Sequence, residues 1–165
     1  MLRGLHLGLL RLFRLLPRRG RLAVVRLLTP SFTVGAICII ERSDGRILLV
    51  RHSYRSRWGF PGGLLKRGEG IAAAARREAM EEVGLDVEIV GEPTVVVDPD
   101  PRRVDVVYRC RVADGVDPDV LNSSSPEILE VRWIARDALP ELQPEAAGGL
   151  IALARAADAA GVFRR

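Results

Sequence analysis

Apolar residues return along this chain in two rhythms, and the change from one to the other divides it. Leu2, Leu5, Leu9, Leu12 and Leu16 recur at the spacing of one helix face, with Leu7, Leu10, Phe13 and Leu15 broadening the stripe and Arg3, Arg11 and Arg14 interrupting it. This predicts a basic amphipathic helix over residues 1–16, followed by a basic linker at 17–21. From Phe32 a continuous β-branched run, FTVGAICII, takes over, and Ser43, Asp44 and Gly45 turn it into RILLVRH at 46–52. Two strands joined by a short hairpin loop are expected. Further strands are predicted over 86–90, 94–97, 104–112 and 126–134, with Asp105 interrupting the apolar pattern of the third and facing solvent or a cleft. Residues 98–103 read as a loop, and 114–125, rich in Asp, Asn, Ser and Gly, as a mobile one. A helical turn at 136–139 and an amphipathic helix at 144–160, with Leu150, Leu153 and Ala157 turned inward, close the chain.

Composition changes this picture in two places. With 165 residues, the chain can bury one sizeable core, expected over residues 30–165 with residues 1–29 as an arm. Hydrophobic content of 48% with 5% aromatic residues implies a core of Val, Leu, Ile and Ala. The net charge of +4 is unevenly spread: Arg3, Arg11, Arg14, Arg18, Arg19, Arg21 and Arg26 all precede the first acidic residue, Glu41. The arm is too short and too charged to span a bilayer, and its arginines break up the apolar core of a secretory signal. Its apolar face is expected to pack on the domain or on a second subunit of a homodimer. Peripheral membrane contact through residues 1–16 and an unstructured start to the chain are the alternatives. Aromatic residues are too scarce for a base-stacking surface, so nucleic acid is not an expected partner. Cys38 and Cys110 lack metal-ligand spacing and fit a reduced, buried pair in a cytoplasmic protein.

The chemistry lies in residues 63–85, GLLKRGEGIAAAARREAMEEVGL. On a helix, Glu78 and Glu82 are nearly in line and Glu81 is one turn away on the same side, so three carboxylates share an arc of about a third of the circumference. Such crowding weakens a helix unless something offsets it, and hard divalent cations prefer oxygen ligands. A metal site is the economical reading. Arg77, one turn before Glu81, can hold its carboxylate, and Glu69 sits near the positive end of the helix dipole. Ala72, Ala75, Ala79 and Val83 form a small apolar stripe expected opposite the acidic face. Gly62 and Gly63 permit close backbone approach, and Gly84 is expected to cap the helix in the left-handed conformation.

Gly63, Glu69, Arg77, Glu78, Glu81, Glu82, Gly84 and Leu85, in that order and with those gaps, resemble the Nudix box of the Nudix hydrolases. Ala79 departs mildly, standing where the family usually has a larger aliphatic residue. The resemblance implies an α/β/α sandwich with a mixed β-sheet, and hydrolysis of a nucleoside diphosphate linked to another group with Mg²⁺ or Mn²⁺. ADP-ribose, nucleotide sugars, dinucleoside polyphosphates and nucleoside triphosphates remain open as substrates. A regulatory module that binds such a nucleotide without cutting it is the alternative. Glu81 and Glu82 are expected as side-chain metal ligands and the Gly63 carbonyl as a backbone one. Glu78 is a further ligand or the general base, while Arg77 and Glu69 orient the others. Glu127 follows from the family more loosely as a further ligand or base, with Glu130 behind it. Arg51 and Arg55 are candidates for binding substrate phosphates, His52 for a hydrogen-bond donor to a phosphate and Trp58 for a stacking surface. Each has a plainer reading as a surface or loop-anchoring residue.

Overall fold

The computed structural model describes residues 2–162, with side chains described at position 8 and from 10 to 158. The chain divides after Phe32 into two compact units. The first holds helices α1 (Leu2–Leu15) and α2 (Arg18–Leu28). The expected linker at 17–21 is therefore corrected, since Arg18 already begins a helix. Pro17 has the extended backbone of an N-cap and no N–H for the new helix to satisfy, and arginine and leucine are good helix formers. Thr29 ends α2, its N–H and Oγ1 reaching the Val25 carbonyl at 2.9 and 2.7 Å. The expected inward faces of Leu2, Leu5, Leu7 and Leu9 lie outside the described side chains.

The second unit is an α/β/α sandwich. Strands β1 (Thr33–Glu41), β2 (Ile47–His52), β3 (Gly62–Leu64), β4 (Val87–Ile89), β5 (Thr94–Asp98), β6 (Arg103–Val112) and β7 (Ile128–Ile134) form one seven-stranded sheet. Its backbone order is β4-β6-β1-β2-β7, with β3 beside β1 and β5 beside β6. β1 and β6 run parallel over their whole length, from Thr33 opposite Arg103 to Glu41 opposite Arg111, while the other pairs are antiparallel. The sheet is thus mixed. β1 and the first four residues of β2 read as apolar runs because both faces are covered. Ala36, Cys38 and Ile40 face helix α3 (Ile71–Val83), whereas Ile37 and Ile39 face the side of helix α4 (Pro144–Val162). The pleat of β2 does the same, sending Leu48 and Val50 one way and Ile47 and Leu49 the other. Arg136–Ala138 forms a single 3₁₀ turn before α4. Leu150 and Leu153 pack inward from α4 as expected, but Ala157 is exposed because it lies beyond the part of the helix that crosses the sheet.

The stripe that seats α3 also differs from expectation. Ala74, Ala75, Ala79 and Val83 are buried and Ala72 is exposed. Nor is the acidic arc opposite this stripe: Glu82, only 6% exposed, lies among the buried residues. Glu82 follows Ala79 by three positions and Glu78 by four, so the carboxylates flank the apolar stripe at the edge of the sheet. Ala79 itself is fully buried.

Close approach at Gly62 is what lets β3 lie beside β1. A Cβ there would stand 2.4 Å from the Ala36 carbonyl oxygen and 2.9 Å from Ile37 Cα, both backbone atoms that cannot swing aside. Gly62→Ala should destabilise the fold by about 2–3 kcal/mol. Urea unfolding should show this as a lower midpoint at unchanged slope, and a midpoint equal to wild type would contradict the packing.

Candidate active site

The sandwich places its carboxylates at the mouth of a cleft of about 440 Å³. Glu78, Glu81 and Glu82 reach it from α3, Gly62 and Gly63 from β3, His52, Tyr54 and Arg55 from the end of β2, and Ser125 and Glu127 from the segment before β7. Ile37, Phe60 and Ala146 supply an apolar wall, and Arg103, Gln143 and Glu145 complete the lining. A second hollow of about 520 Å³ contains Glu41, Arg42, Arg109 and Arg111 but none of the α3 carboxylates; Arg109 pairs there with Glu41, Arg42 with Asp119, and Arg111 with Glu88 and Asp114.

Arg77 organises the acidic edge. Its Nε and Nη2 donate to the two oxygens of Glu69 at 2.7 and 3.0 Å, and its Nη1 donates to Glu78 at 2.7 Å and Glu81 at 3.0 Å. The rigid fork of a guanidinium is what allows one side chain to hold three carboxylates. Glu69 lies ahead of the helix, whose N-cap is Gly70, and its carboxylate does not cap the first turn. It accepts instead from the Lys66 N–H at 2.9 Å. Arg77 and then that N–H bring its pKa down to about 2. For Glu81, desolvation would raise the pKa, but hydrogen bonds from Arg77 and Lys66 outweigh it and the net direction is down. Glu78 goes the other way, because burial outweighs Arg77 and the neighbouring carboxylates add to it.

Glu82 is held separately. Its Oε2 accepts from the Gly62 N–H at 3.1 Å, and its Oε1 lies 3.3 Å from His52 Nε2. A carboxylate only accepts, so Nε2 carries the proton in that contact. His52 Nδ1 is then buried without a partner. Gly63 shows why its position must be bare: a Cβ would lie 2.5 Å from Glu78 Oε1.

Among the described residues, no three His, Cys, Asp or Glu side chains are already gathered as a metal cage. Arg77 Nη1 stands between Glu78 and Glu81 instead. The donor set nevertheless fits a hard divalent cation. Three carboxylates and the backbone at Gly63 face one cleft, and the most buried of them, Glu82, meets only the Gly62 N–H and His52, with no guanidinium or ammonium on it.

The segment carrying Glu127 is fixed by the helix that carries the other acids. Residues 114–125, expected to be mobile, are tied down in the middle and at the C-terminal end of the segment. Ser124 and Ser125 N–H groups reach the Glu81 carbonyl at 3.0 and 3.1 Å, and the Asn122 N–H reaches that of Val83 at 3.1 Å. These are carbonyls of the last turn of α3, which lack partners within the helix. Gly84, with φ of 73°, turns the chain away as expected and leaves room for Asn122, whose carbonyl oxygen a Cβ would meet at 2.5 Å. Pro118 accepts from Trp133 Nε1 at 2.9 Å, and Asp119 pairs with Arg42. Glu127 consequently emerges at the cleft beside Tyr54, whose phenol is raised first by burial and then by that carboxylate.

Not every expected residue arrives. Arg51 points away from the cleft to Glu130, with Nη2 at 3.0 Å, and lies over Trp58 at 6.0 Å. Trp58 packs with the core on the α4 side and pairs through its backbone with Glu141 and Gln143. Neither lines the cleft. Alternation along β2 gives Arg51 and His52 opposite faces, and only His52 faces the acids. Glu130 is likewise occupied by Arg51 and Arg132. Arg55 does line the cleft, paired with Glu145.

Arg103 is the residue that sequence reasoning missed. Its Nε lies 2.9 and 2.8 Å from the two oxygens of Asp105, which is 4% exposed, and its side chain lines the cleft. Asp105 is thus neither solvent-facing nor a cleft residue but a buried anchor, fitted against Gly35, where a Cβ would fall 2.3 Å from its Oδ1. The interruption of the apolar strand at Asp105 was the available signal.

Residues 31–154 match the NUDIX domain family. The chain belongs to the Nudix family. A MutT-like protein of Streptomyces ambofaciens is 31% identical over 132 residues, covering 80% of this chain and 81% of that protein. The NAD-capped RNA hydrolase NudC of Klebsiella pneumoniae (strain 342) is 34% identical over 114 residues, but the match spans 66% of this chain and only 42% of NudC. Among solved structures, a Nudix hydrolase from Nitrosomonas europaea superimposes with a TM-score of 0.64 at 26% identity, covering 74% of this chain and 69% of that one. An ADP-ribose pyrophosphatase from Streptococcus suis gives 0.58 at 26% identity, with coverage of 75% and 91%. Both the fold and the Nudix box thus point to a hydrolase of pyrophosphate bonds.

Proposed function

We propose that this Nudix hydrolase cleaves, in a metal-dependent reaction, a nucleoside diphosphate linked to another group, with Mg²⁺ or Mn²⁺ held by Glu81, Glu82, Glu78 and the Gly63 carbonyl. The observation that carries this reading is the convergence of α3 carboxylates, Gly63, Glu127 and two guanidiniums on one cleft. A divalent cation bound there neutralises the diphosphate and lowers the pKa of coordinated water. The chain's own residues do the rest. Arg77 and Glu69 keep Glu78 and Glu81 in place, and His52 and the Gly62 N–H do so for Glu82. Arg55 and Arg103 offer forks that match phosphate oxygens, while Ile37, Phe60 and Ala146 shelter the less polar part of the substrate. Two carboxylates compete for the proton of the attacking water: Glu78, largely shielded, and Glu127, exposed at the rim. The glutamine variant that flattens the acid limb of the kcat/KM profile identifies the acceptor.

The substrate is a small nucleotide, and the setting is cytoplasmic, in keeping with two buried free thiols. A panel of ADP-ribose, a nucleotide sugar, a dinucleoside polyphosphate, a nucleoside triphosphate and NADH, assayed with Mg²⁺ and with Mn²⁺, tests the reading. Release of two phosphate-bearing products from at least one member, abolished by chelation, is expected. Tight binding in Mg²⁺ with no product from any of them would favour the non-hydrolysing binding module.

A further inference from the structure

We propose that α1 and α2 form a docking element for the surface of an anionic phospholipid bilayer. Charge is the first argument. Residues 1–32 carry seven arginines and no acidic residue; subtracting these from the 25 basic residues of the chain leaves 18 against 21 acidic ones beyond Phe32. The arm is therefore +7 and the hydrolase unit −3. An anionic surface attracts the first and repels the second, so the arm is the part that such a surface would select.

Patterning is the second argument. In α1, Leu12 and Phe13 lie on one side, and Arg11 and Arg14 on the other. In α2, Ala23, Val24 and Leu27 share a side, with Arg18, Arg19 and Arg26 across from it and Arg21 beside Leu28 at the border. Part of this apolar surface stays exposed, while Phe13 and Val24 are half-buried. Leu12 is 61% exposed and Leu27 and Leu28 are 84% and 80% exposed, and α2 has no buried residue. A helix that packs on protein usually carries acidic and basic residues together on its polar side. Here all seven charges have one sign, and the ion pairs of the described residues begin only at Glu41 and Arg42. Leucine toward the acyl boundary with arginine at headgroup level is the arrangement of an interfacial helix. Neither helix crosses: no helix among the described residues is long and apolar enough to span a membrane.

The full chain should sediment with vesicles of phosphatidylcholine containing roughly one-third phosphatidylglycerol, and at least about tenfold less with phosphatidylcholine alone. Binding should fall as salt rises from about 0.05 to 0.5 M. The triple variant Leu12→Gln, Leu27→Gln, Leu28→Gln should lose about tenfold in vesicle binding while hydrolysis in vesicle-free solution stays at the wild-type rate. That last readout separates this inference from the reading of the catalytic cleft, which can fail without it. Absence of wild-type binding to anionic vesicles would overturn the proposal, and so would undiminished binding by the triple variant. Salt-sensitive binding to RNA without vesicle binding would also overturn it, as would a dimer in solution that the triple substitution dissolves while vesicles bind neither protein.

Discussion

Glu82→Gln should reduce hydrolysis by about a hundredfold or more while the fold stays intact. The expectation follows from the position of the carboxylate rather than from its charge alone. Glu82 is buried on the sheet-facing side of α3, where the Gly62 N–H and His52 aim its two oxygens. Glutamine has the same shape and can still accept from Gly62, but it cannot bring the negative charge that a divalent cation needs. Activity on a good substrate at saturating Mg²⁺, measured beside thermal unfolding, checks this. A variant as fast as wild type would remove Glu82 from the site. A variant that is both slow and unfolded would show a structural role instead.

Arg77→Ala should have the second-largest effect, lowering hydrolysis by about 10- to 100-fold and raising the Mg²⁺ concentration needed for half-maximal rate. One guanidinium holds Glu69, Glu78 and Glu81, so its loss frees three carboxylates to repel one another. Lysine should rescue only in part, because a point charge cannot reproduce the fork. The pH dependence of stability distinguishes this from a general loss of structure. Arg77 depresses Glu69 from 4.5 to about 2 in the folded chain, so the pair stabilises the fold above pH 4.5, and this is lost as pH falls toward 2. The stability gap between wild type and Arg77→Ala should therefore be full above about pH 4.5 and shrink below it. A gap that stays constant down to pH 2 would mean that the pairing with Glu69 contributes nothing.

The box was legible because its chemistry is local. Glu78, Glu81 and Glu82 meet on one arc by helical geometry, and Gly84 caps because a left-handed residue is needed there, so spacing alone carries both. The strands were legible for a similar reason, since a sheet covered on both faces writes itself as unbroken apolar runs such as FTVGAICII. What the sequence determined by itself was thus the family, the sandwich and the acidic helix.

The tertiary structure decided which residues share the cleft. Strand alternation turned His52 toward Glu82 and Arg51 away to Glu130. A salt bridge to buried Asp105 presented Arg103, for which the only local mark is the break that Asp105 makes in its apolar strand. Glu127 reached the site because the last carbonyls of α3 found their partners in Asn122, Ser124 and Ser125, residues some forty positions downstream. Hydrogen bonds of that range leave only generic polar residues in the sequence, and for that reason a tied segment reads there as a free loop.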